Sequence, residues 1–236
     1  MTGEFPLLYP AVFVHITLSL RSGNSCVTER LRQEGHWHAT AANNGGLIHV
    51  AGTLLHEETL TEADVDALLR HGLPGVPESP YPTALVFSRH GHAISSDEAV
   101  DAERMAKYGI QYLTPEHKRG AYKVLYSHPQ AADHASHLRA TQPHLVVTGG
   151  IEPYLNFVSV TPRNATKSMA LKRIAAALNI PLEYTVAFGD SDNDADLLET
   201  AGFAVQIGTH PHLTPHADVQ LPEQAGLNSY LRGLIE

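Results

Sequence analysis

The chain has 236 residues, 43% of them hydrophobic and 17% charged, enough to bury a sizeable core and too apolar for wholesale disorder. A formal charge of −9 argues against a nucleic-acid backbone or an anionic membrane surface as the main partner, because both select for basic patches. The single cysteine, Cys26, forms no internal disulfide and fits a cytoplasmic protein. The opening twenty residues lack a basic segment ahead of a long apolar run, so they read as a core strand and neither as a signal peptide nor as a membrane span.

In chain order, the valine-rich AVFVHI at Ala11 to Ile16 suits a strand covered on both faces of a parallel sheet. Arg21 to Gly46 is the least readable stretch. Thr28 to Gln33 has helical character, and GHWHATAANNGG reads as a loop from its Gly and Asn content. LIHVA at Leu47 to Ala51 predicts a second strand, and Leu60 to His71 a helix with Thr61 as N-cap. After a proline-rich turn, ALVFS at Ala84 to Ser88 predicts a third strand, consistent with parallel winding.

The middle changes texture. Ser95 to Tyr108 and Ala131 to Arg139 read as helices, and Tyr122 to Tyr126, Leu145 to Thr148 and Leu155 to Val160 as short strands. This order suggests a small α+β unit at residues 91–160, inserted into a core formed by 1–90 and 161–236. The α/β rhythm then returns with a helix at Lys167 to Leu178, strands at Thr185 to Phe188 and Phe203 to Ile207, and a helix from Asp194 to Thr200. A strand at Asp218 to Leu221 and a closing helix from Glu223 follow.

The chemistry concentrates in Gly189-Asp190-Ser191-Asp192-Asn193-Asp194, directly after a predicted strand. Three carboxylates so close together repel one another, and a hard divalent cation relieves them. In a parallel sheet, ligands gather at the carboxyl ends of strands, where this loop lies. Lys167, at the start of a helix after PRNAT, could neutralise a phosphate or carboxylate there. Helix capping alone would account for Asp192 and Asn193 and leaves Asp190 unexplained. The sixteen histidines include the pairs His36/His38, His90/His92 and His210/His212, whose spacing without a fixed third ligand is weak evidence for zinc.

The lysine-led helix, the strand and the GDSDND loop resemble the last two motifs of the haloacid dehalogenase superfamily of phosphatases. The segments FSRHGHAI, HKRGAYKVLY, VVTGG and LNFVSVTPRNATK are similar to the cap of its sucrose-phosphatase branch, related to the phosphatase-like domain of sucrose-phosphate synthases. The resemblance implies a Rossmann-like parallel-sheet core with an α+β cap. It also implies magnesium at Asp190, Asp194 and Asn193, and sugar-phosphate contacts at Lys123, Tyr154 and Asn156. It departs at the first motif: His15 and Thr17 stand where the family's nucleophile and acid/base aspartates belong. The second, phosphate-gripping motif would fall on Ala51-Gly52-Thr53, and Lys167 is the catalytic lysine. The expected protein is therefore a sucrose-phosphatase-like domain with impaired phosphatase activity that binds a sugar phosphate. The alternatives are an active magnesium-dependent sugar-phosphate phosphatase and an interaction module for a glycosyltransferase.

Overall fold

The structure is a computed structural model that describes residues 38–70, 84–95, 105, 109–151, 154–222 and 230, and the backbone of 14–16. Cys26, Thr17, His36, the helical reading of Thr28 to Gln33, nearly all of Ser95 to Tyr108 and nearly all of the closing helix lie outside the described residues. No helix among the described residues is long and apolar enough to cross a membrane.

Among the described residues the strands form three sheets. The first has the order β1 (Val14–Ile16), β2 (Ala39–Ala42), β3 (Leu47–Val50), β4 (Thr53–Glu57). Here β1 and β2 are parallel, with His15 in register with Thr40, whereas β2–β3 and β3–β4 are antiparallel. Two sequence expectations are corrected at this point. ATAA at Ala39 to Ala42 is a buried strand and not a loop. Alanine carries little strand preference, so its neighbours on both sides impose the extended form. LIHV runs back along β2 because the short turn Asn43–Gly45 reverses the chain.

The second sheet has six strands in the order β7 (Ile110–Tyr112), β6 (Gly91–Ile94), β5 (Ala84–Ser88), β8 (Ala121–Ser127), β10 (Phe157–Pro162), β9 (Leu145–Gly149). Only β6–β7 is a parallel pair. ALVFS was expected in a parallel core sheet and instead pairs antiparallel with β6 and β8. The tight Arg89-His90 turn between β5 and β6 permits only the antiparallel return. Helices α1 (Glu62–Arg70) and α3 (Ala131–Thr141) cover one face, and the short α2 (Pro115–Arg119) lies between α1 and β5. Val65, Leu68, Val86, Val124, Leu138 and Val158 form the core between helices and sheet. Thr61 caps α1 as its spacing predicts, its Oγ1 accepting from Asp64 N at 3.1 Å.

The third sheet is parallel throughout: β11 (Val186–Gly189), β12 (Phe203–Ile207), β13 (Val219–Leu221). Helix α4 (Lys167–Leu178) joins this sheet to the first. Its Leu171 packs with Ala187, Leu197 and Leu198, and its Ala170 and Ile174 pack on Ala39, Ala41 and Ile48. Such spacing along one helix gives two apolar stripes, one for each sheet. Helix α5 (Ala195–Thr200) follows β11 and lies against α4.

Candidate active site

The site grows from two adjacent pieces of backbone, the end of β11 and the start of α4. Gly189 must be glycine: a Cβ there would sit 2.6 Å from Asp194 Cβ. That closeness lets the chain fold back at once into a single 3-10 turn, Asp192–Asp194. Asp194 holds the turn together, its Oδ2 accepting from Asp190 N at 3.1 Å and from Ser191 N and Oγ at 3.2 Å each. Its Oδ1 accepts from the Lys167 ammonium. Both residues are buried, Lys167 at 6% and Asp194 at 4% exposure.

Lys167 is placed by its cap. Thr166 stands in extended conformation before the helix, and its Oγ1 accepts from Met169 N at 3.2 Å. Asp196, in the first turn of the neighbouring helix, accepts from Ser168 N at 3.2 Å, so the acidic loop and the start of α4 are tied at a second point.

The six-stranded sheet closes over the loop. Gly149 N, at the end of β9, donates to Asp192 Oδ2 at 3.4 Å. Tyr154 lies near the loop, and burial together with the nearby carboxylates of Asp190, Asp194 and Asp192 raises its pKa. Lys123 is wholly buried on β8, on the face opposite Val124 and Tyr126, with Nζ 4.2 Å from the Phe87 ring centroid. Desolvation, and secondarily the charge of Lys167, pull its pKa down to about 8. Asn156 is exposed, its carbonyl accepting from His128 N at 2.9 Å.

Lys167, Asp190, Asn193, Asp194 and Tyr154 thus come together at the acidic loop, with Lys123 buried close enough to feel the charge of Lys167. Ala51, Gly52 and Thr53 do not join them. Because β3 runs antiparallel to β2, the Ala51-Gly52 turn lies beside His38, at the amino end of β2, where Ala51 N donates to His38 O at 2.8 Å. The turn at the carboxyl end of β2 is Asn43-Asn44-Gly45, at φ of 51°, 58° and 97°. It is pressed on α4 so closely that a Cβ at Gly45 would meet Thr166 O at 2.7 Å. His15 lies in β1, and α4 packs against that strand. Beside the acidic loop a cavity of about 260 Å³ is lined by Asn44, Thr148, Thr166, Lys167, Asp192 and Asp196, among others. Asn43, Asn44 and Asp196 were not singled out in the sequence; the NNGG run was the available signal.

The donor set does not fit a closed magnesium cage. Both oxygens of Asp194 are already engaged and Asn193 Oδ1 accepts from Ser191 Oγ, which leaves the exposed Asp190 carboxylate and one oxygen of Asp192 as open donors, against the near-complete octahedron that magnesium demands. Among the described residues no three His, Cys, Asp or Glu side chains come together as a metal-binding group. The His210 and His212 rings lie 5.6 Å apart without a third such partner among them.

A sequence profile of haloacid dehalogenase-like hydrolases matches residues 21–225. The chain belongs to that family. Among curated relatives, it is 55% identical over 49 residues to phosphatase YwpJ of Bacillus subtilis, covering 21% of this chain and 17% of that protein. It is 28% identical over 171 residues to the HMP-PP phosphatase of Cronobacter sakazakii, covering 70% of this chain and 61% of that protein. The chain thus spans less than two thirds of the length of either relative. A solved haloacid dehalogenase subclass IIB sugar phosphatase superposes with a TM-score of 0.69 at 16% identity, over 87% of this chain and 80% of the other. A family phosphatase from Bacteroides thetaiotaomicron gives 0.66 at 15% identity, over 99% of both chains. The α/β fold of the family, with parallel and antiparallel strands and flanking helices, is therefore the fold of this chain.

Proposed function

We propose that this haloacid dehalogenase-like protein binds a sugar phosphate in the cleft between the acidic loop and the six-stranded sheet, with weak or no hydrolysis of the ester. One observation carries the reading: Lys167 is buried against an Asp194 carboxylate whose oxygens are both engaged, while the positions the family gives to its carboxylate pair hold His15 and Thr17. A positioned acid or base is worth roughly a hundred- to ten-thousand-fold in rate, and without a carboxylate nucleophile the covalent route is lost. Phosphomonoester hydrolysis is among the slowest uncatalysed reactions, so binding alone leaves little turnover.

In this reading Lys123 and Lys167 supply positive charge for the phosphoryl group, and Tyr154 closes the cleft. Magnesium binds weakly, through Asp190 with Asn193. The division into a core of 1–90 and 161–236 and a cap of 91–160 belongs to the proposal, with β5 already hydrogen-bonded into the cap sheet. So do the sucrose-phosphatase-like branch, a cytoplasmic setting and, as a further partner, a glycosyltransferase.

The phosphatase names of the relatives favour a second reading, an active magnesium-dependent phosphatase. Phosphate release from sucrose 6-phosphate and related esters with magnesium separates the two. Turnover at ordinary enzyme rates, abolished by Asp190→Ala, overturns the impaired-enzyme reading.

A further inference from the structure

The cavity beside the acidic loop has a particular hydrogen-bonding deficit. Most of its polar walls are already engaged. Lys167 is held by Asp194, the Thr166 hydroxyl is shared between Ser168 and Met169 N, and Asp196 accepts from Ser168 N. Two buried oxygens are not: Asn44 Oδ1 and Asp192 Oδ1 have no hydrogen-bond partner among the described residues. Asn44 is 3% exposed and lines the cavity. Buried polar atoms are almost always paired, so unpaired ones on residues that wall a cavity point to a missing partner.

Both open positions are acceptors, and the nearby Asp192 and Asp196 carboxylates make that wall repel anions. The missing partner is therefore a donor without negative charge. Hydroxyl groups meet that requirement, and a phosphoryl group, which only accepts when ionised, does not. About 260 Å³ gives room for one small polyol.

We infer that this cavity receives the hydroxyl-bearing, carbohydrate end of the ligand, with Asn44 and Asp192 accepting hydrogen bonds from its hydroxyls. The inference rests on the proposed sugar-phosphate reading and adds which end of the ligand lies where, and on which residues. The Asn43-Asn44 turn acquires a role through its position at the carboxyl end of the parallel β1–β2 pair, where such folds present ligands. Asn44 also occupies a left-handed backbone conformation that asparagine and glycine accept and most other residues do not.

That conformation supplies the test. Asn44→Gly removes the amide and keeps the backbone, and Asn44→Asp keeps an acceptor oxygen. Calorimetric titration of wild type and variants uses glucose 6-phosphate, glucose and inorganic phosphate as probes. Asn44→Gly is expected to weaken glucose 6-phosphate binding about tenfold and leave inorganic phosphate unchanged. Asn44→Asp is expected to keep the binding of uncharged glucose within about threefold of wild type, because it retains the acceptor. Asp192→Ala, the second variant, should show the same hexose-selective loss. Equal glucose 6-phosphate affinity in wild type, Asn44→Gly and Asp192→Ala overturns the inference and leaves the proposed function standing. Parallel losses for glucose 6-phosphate and inorganic phosphate in Asn44→Gly also overturn it, since Asn44 would then serve the phosphoryl group. A wild type that binds phosphate but gains nothing from the hexose removes the inference together with the sugar part of the function. One that binds none of the three probes overturns both readings.

Discussion

The Lys167 ammonium and the Asp194 carboxylate form a buried ion pair that locks the first turn of α4 to the loop after β11. Removing one partner strands the other charge. Lys167→Met is therefore expected to destabilise the protein by about 3–5 kcal/mol. The double change Lys167→Met with Asp194→Asn should recover part of that loss, because the amide oxygen still accepts from the backbone of Asp190 and Ser191. Urea denaturation of the three variants checks both expectations; equal stability of wild type and Lys167→Met would remove the pair from any structural role.

Gly189 is the second sensitive position. Its absent side chain is what allows Asp194 to come so near, and a methyl group there must push the loop outward. Gly189→Ala is expected to cost roughly 1–3 kcal/mol through overpacking. It should also weaken ligand binding by displacing Asp190 and Asp192, which thermal shift with glucose 6-phosphate would report.

Lys123 makes stability depend on alkaline pH in a definite direction. Its pKa falls from 10.5 to about 8 on folding, so between those values the unfolded chain holds a proton that the folded chain has released. Stability therefore rises with pH across that window, and below pH 8 the full penalty remains, on the order of 3 kcal/mol. Lys123→Met is expected to be more stable than wild type at pH 7, with the difference shrinking towards pH 10. Denaturation midpoints at pH 7, 8, 9 and 10 give the difference, and a constant gap would contradict the assignment.

Restoring carboxylates should change metal binding. His15→Asp combined with Thr17→Asp adds one hard oxygen donor in β1, against which α4 packs, and a second at the next residue but one in the sequence. Calorimetry with magnesium is expected to show at least about tenfold tighter binding than wild type. Unchanged affinity would mean that β1 does not deliver those positions to the Asp190 loop.

The part of the molecule legible in the sequence is the part built from long or strongly patterned segments. Helix α4 was bounded at Lys167 and Leu178 from its apolar spacing, and the acidic loop declared itself through charge density after an apolar strand. A strand of small residues gave no such signal. Ala39–Ala42 is made of small residues and exists because β1 and β3 flank it. The direction of β3 and β5 was not legible either, because an apolar run looks the same in a parallel and an antiparallel sheet. That ambiguity carried into the site: reversing β3 moves Ala51-Gly52 to the far edge and brings Asn43-Asn44 to the near one.

The bond from Gly149 to Asp192 has a kinetic side. It stitches the end of β9 to the acidic loop, so the two surfaces cannot separate there unless that stitch opens. Any ligand enclosed between them leaves at a rate set in part by the opening of that seam, and its residence time is then partly a property of the protein's own backbone.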